Sequence, residues 1–381
     1  AFISGILMLG ASSTLGGVNF ITTVFTVSLF IPANAQNTNR SRPASNETVM
    51  FIFMDMDNNG DKKISFDEAQ GQLKSSFNRN DTNKDGYLTQ NELQALADRL
   101  SAGRNRNAGA SRDTPPATGS TMSTKDLLEM TPQGVTVVPD IAYREGHDAW
   151  KLDLAMPSQS SDTPRPAIIY IHGGGWTKGD KRGQGIATVL GYATKGFVSL
   201  SVNYRLDADK KACIEDVKCA TRWLRAHAKE YNVDPDRIGA AGNSAGAHLA
   251  LMLAICPLSA GLEGDGPYQQ YSSGVQAAHC SSTPAKPNYR TREGDSTDYS
   301  NIQAMTYISA DTPPLYFIHG LNDTQKAPIQ FLEAFVDALA EAGAKDVTYK
   351  RYDDAGHGVY VQHIDEARPA REAFLIRTLM N

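Results

Sequence analysis

Residues 237–254 read RIGAAGNSAGAHLALMLA, and this stretch leaves little freedom in what the chain can become. Arg237 to Asn243 reads as a strand, and the Ala- and Leu-rich run from Ala245 reads as a helix. Ser244 stands at the junction, between Gly242 and Gly246. A strand that turns directly into a helix admits only small residues beside the turn, because the two backbones pass too close for bulk. A buried helix packed on a sheet also recruits Ala and Gly, so the small residues alone decide nothing. The company the serine keeps elsewhere in the chain decides it.

From about Thr131 onward, strands and helices alternate. VTVVPDIAY and WKLDLAMP read as a strand pair, and Ala167 to Ile171 as an apolar strand running into glycines. Gln184 to Lys195 is a helix ended by Gly196, FVSLSVNYR a strand, and Cys213 to Asn232 a helix. After the serine segment, Pro257 to Asn301 reads as irregular and polar. PLYFIHG then reads as a strand, Ile329 to Ala342 as a helix, VTYKRYDD as a strand and Glu366 to Leu379 as a last helix. Such alternation predicts an α/β fold: a mostly parallel central sheet with helices on both faces.

Three features gather around Ser244. Gly242-x-Ser244-x-Gly246 lies between strand and helix, so the hydroxyl is held at the sheet edge, with the Ala245 amide beside it near a helix N-terminus. His172-Gly173-Gly174-Gly175-Trp176 follows an upstream strand. Its glycines let main-chain N–H groups face a substrate oxygen, the plain alternative being a Gly-rich turn. Asp323 and His357 each follow a strand, in the order expected of an acid and a base that serve a nucleophilic serine. His147, His227, His248, His279 and His363 read as surface or packing residues, and His172 and His319 as holders of loop structure. Asp353 and Asp354 are the rival acids, but they sit so close to His357 in sequence that they read as turn formers.

With HGGGW, VNYRL, EDVKCATRWLRAHAKEYNVDPDRIGAAGNSAGAHLA, HGLND and GHG in this order, residues 131–381 resemble α/β-hydrolases of the hormone-sensitive-lipase-like kind. Within that group they are most similar to the small esterases known as bifunctional feruloyl and acetyl xylan esterases. The resemblance implies carboxylic ester hydrolysis through an acyl-enzyme. Ser244, Asp323 and His357 would be the triad, the amides of Gly173, Gly174 and Ala245 the oxyanion hole, and no cofactor would enter the chemistry. The sequence departs from the family's pattern at Asn243, usually acidic, and at Asp207-Ala208, where Ala-Pro is usual. A strand expected around Val275 is degraded into VQAAHCSSTP. These departures bear on the acyl pocket, which Pro257 to Asn301 is expected to line, and leave the triad intact.

The front of the chain holds a repeat. DNNGDKKISFDE and DTNKDGYLTQNE align with a period of 24 residues. The second fits the calcium-loop template, with Asp81, Asn83, Asp85, the Tyr87 carbonyl, Thr89 and Glu92 as oxygen ligands and Gly86 at the sharp turn. The first fits when started at Asp57, giving Asp57, Asn59, Asp61, the Lys63 carbonyl, Ser65 and Glu68. That register puts Lys62 where glycine belongs, so this loop is expected to bind more weakly. The pair resembles the compact double EF-hands of exported bacterial proteins, which implies Ca2+ as a structural ion and a docking role toward an unidentified partner. A metal-free spacer is the alternative.

No charged residue precedes Arg40, and the apolar run Phe20 to Ile31 leads to Ala33-Asn34-Ala35, a signal-cleavage pattern. Export to the bacterial envelope or beyond is expected. The absent initiator Met and basic n-region fit a truncated start, and an uncleaved anchor is the alternative. The chain thus divides into a leader (1–35), a linker (36–48), an EF-hand pair (49–100), a flexible linker (101–130) and a catalytic domain (131–381). A net charge of −5 and the lack of a basic stripe give no support for nucleic-acid binding. Four cysteines, Cys213, Cys219, Cys256 and Cys280, suit buried thiols or one incidental bridge. The substrate expected is a small-molecule or polysaccharide-linked ester. A hydrolase fold that has lost activity and serves adhesion, or a peptidase or formamidase using the same triad, are the other readings. The first usually loses a triad residue, and the peptidases of this fold usually carry a large gating domain.

Overall fold

The computed structural model describes residues 63–69, 73, 76–89, 91–93, 95, 122–183, 185–287 and 299–380. The expected leader, the segment 36–48, residues 101–121 of the linker, and Asp57, Asn59 and Asp61 of the first calcium loop lie outside the described residues. Among the described residues, no helix is long and apolar enough to cross a membrane.

In the front segment, β1 (Lys63–Ser65) and β2 (Tyr87–Thr89) pair antiparallel, with Ile64 opposite Leu88. Both of these residues are buried, as is Phe77 of the short helix α1 (Phe77–Asn80). The apolar midpoints of the two aligned segments therefore meet across a two-stranded ladder.

The remaining strands form one sheet. They are β3 (Val135–Ala142), β4 (Lys151–Pro157), β5 (Arg165–Ile171), β6 (Val198–Val202), β7 (Val233–Asn243), β8 (Ala277–Ser281), β9 (Leu315–Gly320) and β10 (Val347–Tyr352). Their order is β10-β9-β8-β7-β5-β6-β4-β3. β4 runs antiparallel to β3 and β6, and every other pair is parallel. The sequence of β5 shows the reason. Ala167, Ile169 and Ile171 enter one core while Ile168 and Tyr170 enter the other, so the strand is buried on both faces, as a parallel strand must be.

The helices are α2 (Thr124–Met130), α3 (Ile186–Thr194), α4 (Lys210–Ala226), α5 (Ala245–Ile255), α6 (Ile329–Glu341), α7 (Val359–Gln362) and α8 (Ile364–Leu379). Side chains of α4, α5 and α6 fill the first core, and those of α2, α3, α7 and α8 the second. β5 lies between β6 and β7, so the chain winds to one side after β5 and returns on the other. The ends of β5 and β7 thus flank a topological switch point, the place where open α/β sheets carry their ligand sites.

Three sequence expectations need correction. Residues 124–130 do not belong to a flexible linker: they form α2, closed by a capping box between Ser123 and Asp126 and anchored by the buried Leu127. Nor is Pro257 to Asn301 irregular throughout. Its residues 277–281 are β8, fully buried in mid-sheet between β7 and β9. Finally, α4 stops at Ala226, and Asn232 at φ +53° turns the chain into β7, which starts four residues earlier than expected. All four cysteines are free and buried.

Candidate active site

Ser244 sits between β7 and α5 at φ +56°, ψ −123°, a conformation L-residues avoid, so the turn is strained. Steric contact accounts for its glycines. A Cβ at Gly242 would lie 2.3 Å from Gly246 O, and one at Gly246 would lie 2.0 Å from Ile171 O. The small residues therefore serve the strained turn and the close passage of α5 over β5 together. Ser244 N–H donates to Ser281 O of β8 at 2.9 Å, and Ser244 O accepts from His248 N–H at 3.1 Å, which fixes the turn on both sides.

The loops after β9 and β10 bring the acid and base to this serine. His357 Nε2 is 2.9 Å from Ser244 Oγ, and its Nδ1 is 2.5 Å from Asp323 Oδ2. Asp323 Oδ1 accepts from the backbone N–H groups of Lys326 and Ala327, at 3.3 and 3.1 Å. Burial pushes the pKa of Asp323 up, but the hydrogen bond from His357 and its charge outweigh this and hold the carboxyl below its usual range. An anionic Asp323 that accepts from Nδ1 leaves Nε2 free to take the serine proton. The rivals are engaged elsewhere: Asp353 pairs with Arg351, and Asp354 with His363.

The other histidines fall where the sequence put them. His248 and His279 are buried, His227 stacks on Trp223 and His363 on Tyr352, and His147 lies against Trp150. His319 is buried and donates from Nε2 to Ala327 O at 2.8 Å, clamping the turn whose amides hold Asp323. His172 is likewise buried.

Gly173 follows β5 directly beside the nucleophile, since a Cβ there would lie 3.3 Å from Ser244 Cβ. The N–H groups of Gly173 and Gly174 donate to no backbone acceptor among the described residues, and Ala245 is the first residue of its helix. The loop beyond them is fastened by the buried charges of Asp153, Lys181 and Arg182 and by the exposed Asp140. Lys181 Nζ reaches Asp140 and Asp153 at 2.8 and 2.7 Å, and Arg182 reaches the same pair at 2.6 and 2.7 Å.

Sequence reasoning missed Ser282. It is buried, at φ +50°, and its Oγ donates to His357 O at 2.7 Å. The end of β8 thus holds Ser244 through Ser281 and His357 through Ser282. The signal was the need for one more central strand between β7 and β9, at VQAAHCSSTP.

In the second calcium-loop segment, Asp81 accepts from the N–H groups of Asp85 and Gly86, and Asp85 from that of Tyr87. Asn83 Oδ1 accepts from Asp85 N–H. Glu92 accepts from Thr89 N–H and Oγ through one oxygen, and from Thr82 N–H and Oγ and Asn83 N–H through the other. Glu68 accepts in the same way from Ser65 N–H and Oγ, while Lys63 opens β1. Among the described residues, no three His, Cys, Asp or Glu side chains are gathered as a metal would require. Glu92 is instead turned onto backbone amides.

Comparison with known proteins agrees with this geometry. A family model described as BD-FAE matches residues 152–284, a span that holds Ser244 but neither Asp323 nor His357. The chain is 29% identical over 299 residues to "Probable carboxylic ester hydrolase LipM" of Mycobacterium tuberculosis, covering 72% of this chain and 68% of that protein. "Esterase LipQ" of the same organism is 29% identical over 255 residues, 61% of this chain and 60% of its own length. The chain thus spans about two thirds or less of these relatives. Among solved structures, esterase 2 of Thermogutta terrifontis phosphonylated by sarin superposes with a TM-score of 0.56 at 26% identity, over 64% of this chain and 95% of that one. Sheet order and site geometry match the α/β-hydrolase fold, and the relatives and structural neighbours are named carboxylic ester hydrolases and esterases.

Proposed function

We propose that the chain is a serine carboxylic-ester hydrolase acting through an acyl-enzyme on short-acyl or carbohydrate-linked acetyl or feruloyl esters. The unbroken hydrogen-bonded series from Ser244 through His357 to Asp323 carries this reading. Ser244 Oγ attacks the ester carbonyl carbon while His357 Nε2 takes its proton. The carbonyl oxygen becomes an oxyanion facing the amides of Gly173, Gly174 and Ala245. Collapse expels the alcohol, which receives the proton from His357, and water then releases the acid by the same steps. Short acyl groups are supported by the propionate- and butyrate-bound forms of the T. terrifontis esterase, and carbohydrate-linked esters by the resemblance to feruloyl and acetyl xylan esterases noted from the sequence.

The same proposal reads the front repeat as an EF-hand pair, binding Ca2+ through the loop residues named above and serving docking on an exported protein. All-oxygen donors, Gly86 at φ +83° and the Ile64–Leu88 pairing support it. Holding the ion requires Glu92 to release the amides of Thr82 and Asn83. The deciding experiment compares initial hydrolysis of p-nitrophenyl acetate by wild type and Ser244→Ala, each with calcium and with chelator. A fall of roughly 10⁴-fold or more in the variant is expected. A wild-type rate no higher than background in either condition overturns the esterase reading. Calorimetric titration with Ca2+ alone, giving no heat of binding, overturns the EF-hand reading.

A further inference from the structure

The oxyanion hole needs two consecutive peptide units, 172–173 and 173–174, held in one orientation, yet both lie beyond the end of β5 and outside its ladder. A peptide unit is planar and trans, so its C=O and its N–H point in opposite directions. Whatever fixes the carbonyl of such a unit also aims its amide.

Each of these carbonyls has one buried side-chain donor. Tyr204 Oη donates to His172 O at 3.0 Å, and His172 Nδ1 donates to Gly173 O at 2.8 Å. The opposite ends of these two units are Gly173 N–H and Gly174 N–H. The two donors also support each other, because the His172 and Tyr204 rings stack at 4.4 Å with 16° between their planes. Backbone closes around them. A Cβ at Gly179 would lie 2.3 Å from His172 Nδ1 and 2.5 Å from Gly173 O, and one at Gly246 would lie 2.6 Å from His172 O. Burial holds the pKa of His172 down, so the ring is neutral and carries its proton on the nitrogen that faces Gly173 O.

We infer that Tyr204 and His172 are the positioning residues of the oxyanion hole, each gripping one peptide unit by its carbonyl and so aiming the Gly173 and Gly174 amides at the reacting carbonyl oxygen. Neither side chain touches the substrate. The inference rests on the serine-hydrolase reading above. Without the Tyr204 hydroxyl or the His172 donor, a peptide unit next to glycine loses the bond that fixes its tilt, and its amide is no longer held on the oxyanion. Deleting an oxyanion donor outright costs ~10²–10³ in kcat, and misaiming one costs part of that.

The test uses the full chain with Tyr204→Phe, which removes only the hydroxyl, with His172→Leu, and with His172→Asn, which keeps a donor near the place of Nδ1. For each, kcat and KM for p-nitrophenyl acetate, inhibition by phenylboronic acid and the thermal midpoint are measured beside Ser244→Ala. Tyr204→Phe and His172→Leu should lower kcat about 10- to 100-fold and weaken the tetrahedral boronate adduct in proportion. KM should stay within about threefold, and His172→Asn should recover most of the loss. If Ser244→Ala is inactive while Tyr204→Phe keeps kcat within about threefold, the inference fails and the esterase reading stands. Losses confined to KM also overturn it, because they would mark these residues as substrate contacts. If Ser244→Ala hydrolyses the ester at the wild-type rate, the reading itself fails and the inference with it. Should the His172 variants not fold, Tyr204→Phe decides alone.

Discussion

Gly246→Ala puts the strand-to-helix turn under the most direct stress. The added carbon would sit 2.0 Å from Ile171 O and 2.6 Å from His172 O, both backbone atoms at the end of β5. An ordinary carbon-to-oxygen contact is about 3.3 Å, so α5 and β5 must part by roughly 1.3 Å. Neither can yield locally, because β5 is paired on both sides and α5 is buried along its length. Overpacking of this kind costs about 1–3 kcal/mol. For a domain of this size, that is a fall in Tm of roughly 2–12 °C. Activity should suffer more than stability, since a shift of about 1 Å at a reacting centre costs ~10²-fold. Gly358→Ala is the control: it neighbours His357, but a Cβ there meets nothing within 4 Å. Circular dichroism melts and p-nitrophenyl acetate rates on both variants test the reasoning. A Gly246→Ala protein that matches Gly358→Ala in both measurements would refute it.

Two further substitutions probe the loops. Asp323→Asn should lower kcat by ~10³–10⁴-fold, since the amide no longer fixes the imidazole tautomer. It should also change the acid limb of stability. The depressed pKa of Asp323 means that its ionised form stabilises the fold fully above about pH 4, with the contribution lost as pH falls below that value. Melts of the variant between pH 5 and pH 3 should therefore slope less steeply than those of the wild type, and equal slopes would contradict this. Ser282→Gly removes the 2.7 Å bond to His357 O while suiting the positive φ. One net hydrogen bond is worth ~1 kcal/mol, so kcat should fall about 5- to 10-fold with KM unchanged. A wild-type kcat would show that β8 holds the base without this hydroxyl.

The hydrogen-bonded series of Ser244, His357 and Asp323 was legible because each member follows closely on a strand that its own sequence announces. RIGAAGN, LYFIHG and VTYKRY are apolar or alternating runs, and Ser244, Asp323 and His357 come at or within a few residues of their ends. The strand pair of β3 and β4 was legible for the same reason. What the sequence concealed were contacts between distant segments. Nothing in the spacing of Asp140, Asp153, Lys181 and Arg182 shows that four charges meet behind the glycine loop. Only the fold brings them within reach. α2 was hidden differently, since its Ser123–Asp126 box stands at the end of a polar run that overwhelms a helix of seven residues.

β8 is the most instructive case, because its residues argue against a strand when judged by propensity alone. Ala277, Ala278, His279, Cys280 and Ser281 include no β-branched residue and no aromatic larger than imidazole. Propensity measures fit to a half-buried pleated surface, and β8 is not on one. It is paired on both edges and covered on both faces, with α5 packed on one side and α8 on the other. Small side chains let both helices approach closely. Ladder bonds to β7 and β9 supply the order that bulky residues supply elsewhere. The same position makes its C-terminus a hub, where Ser281 O receives the N–H of Ser244 and Ser282 Oγ donates to the backbone of His357. A segment squeezed into that place has to be small to fit and polar at its end to hold Ser244 and His357, and those two demands are what made it read as a loop.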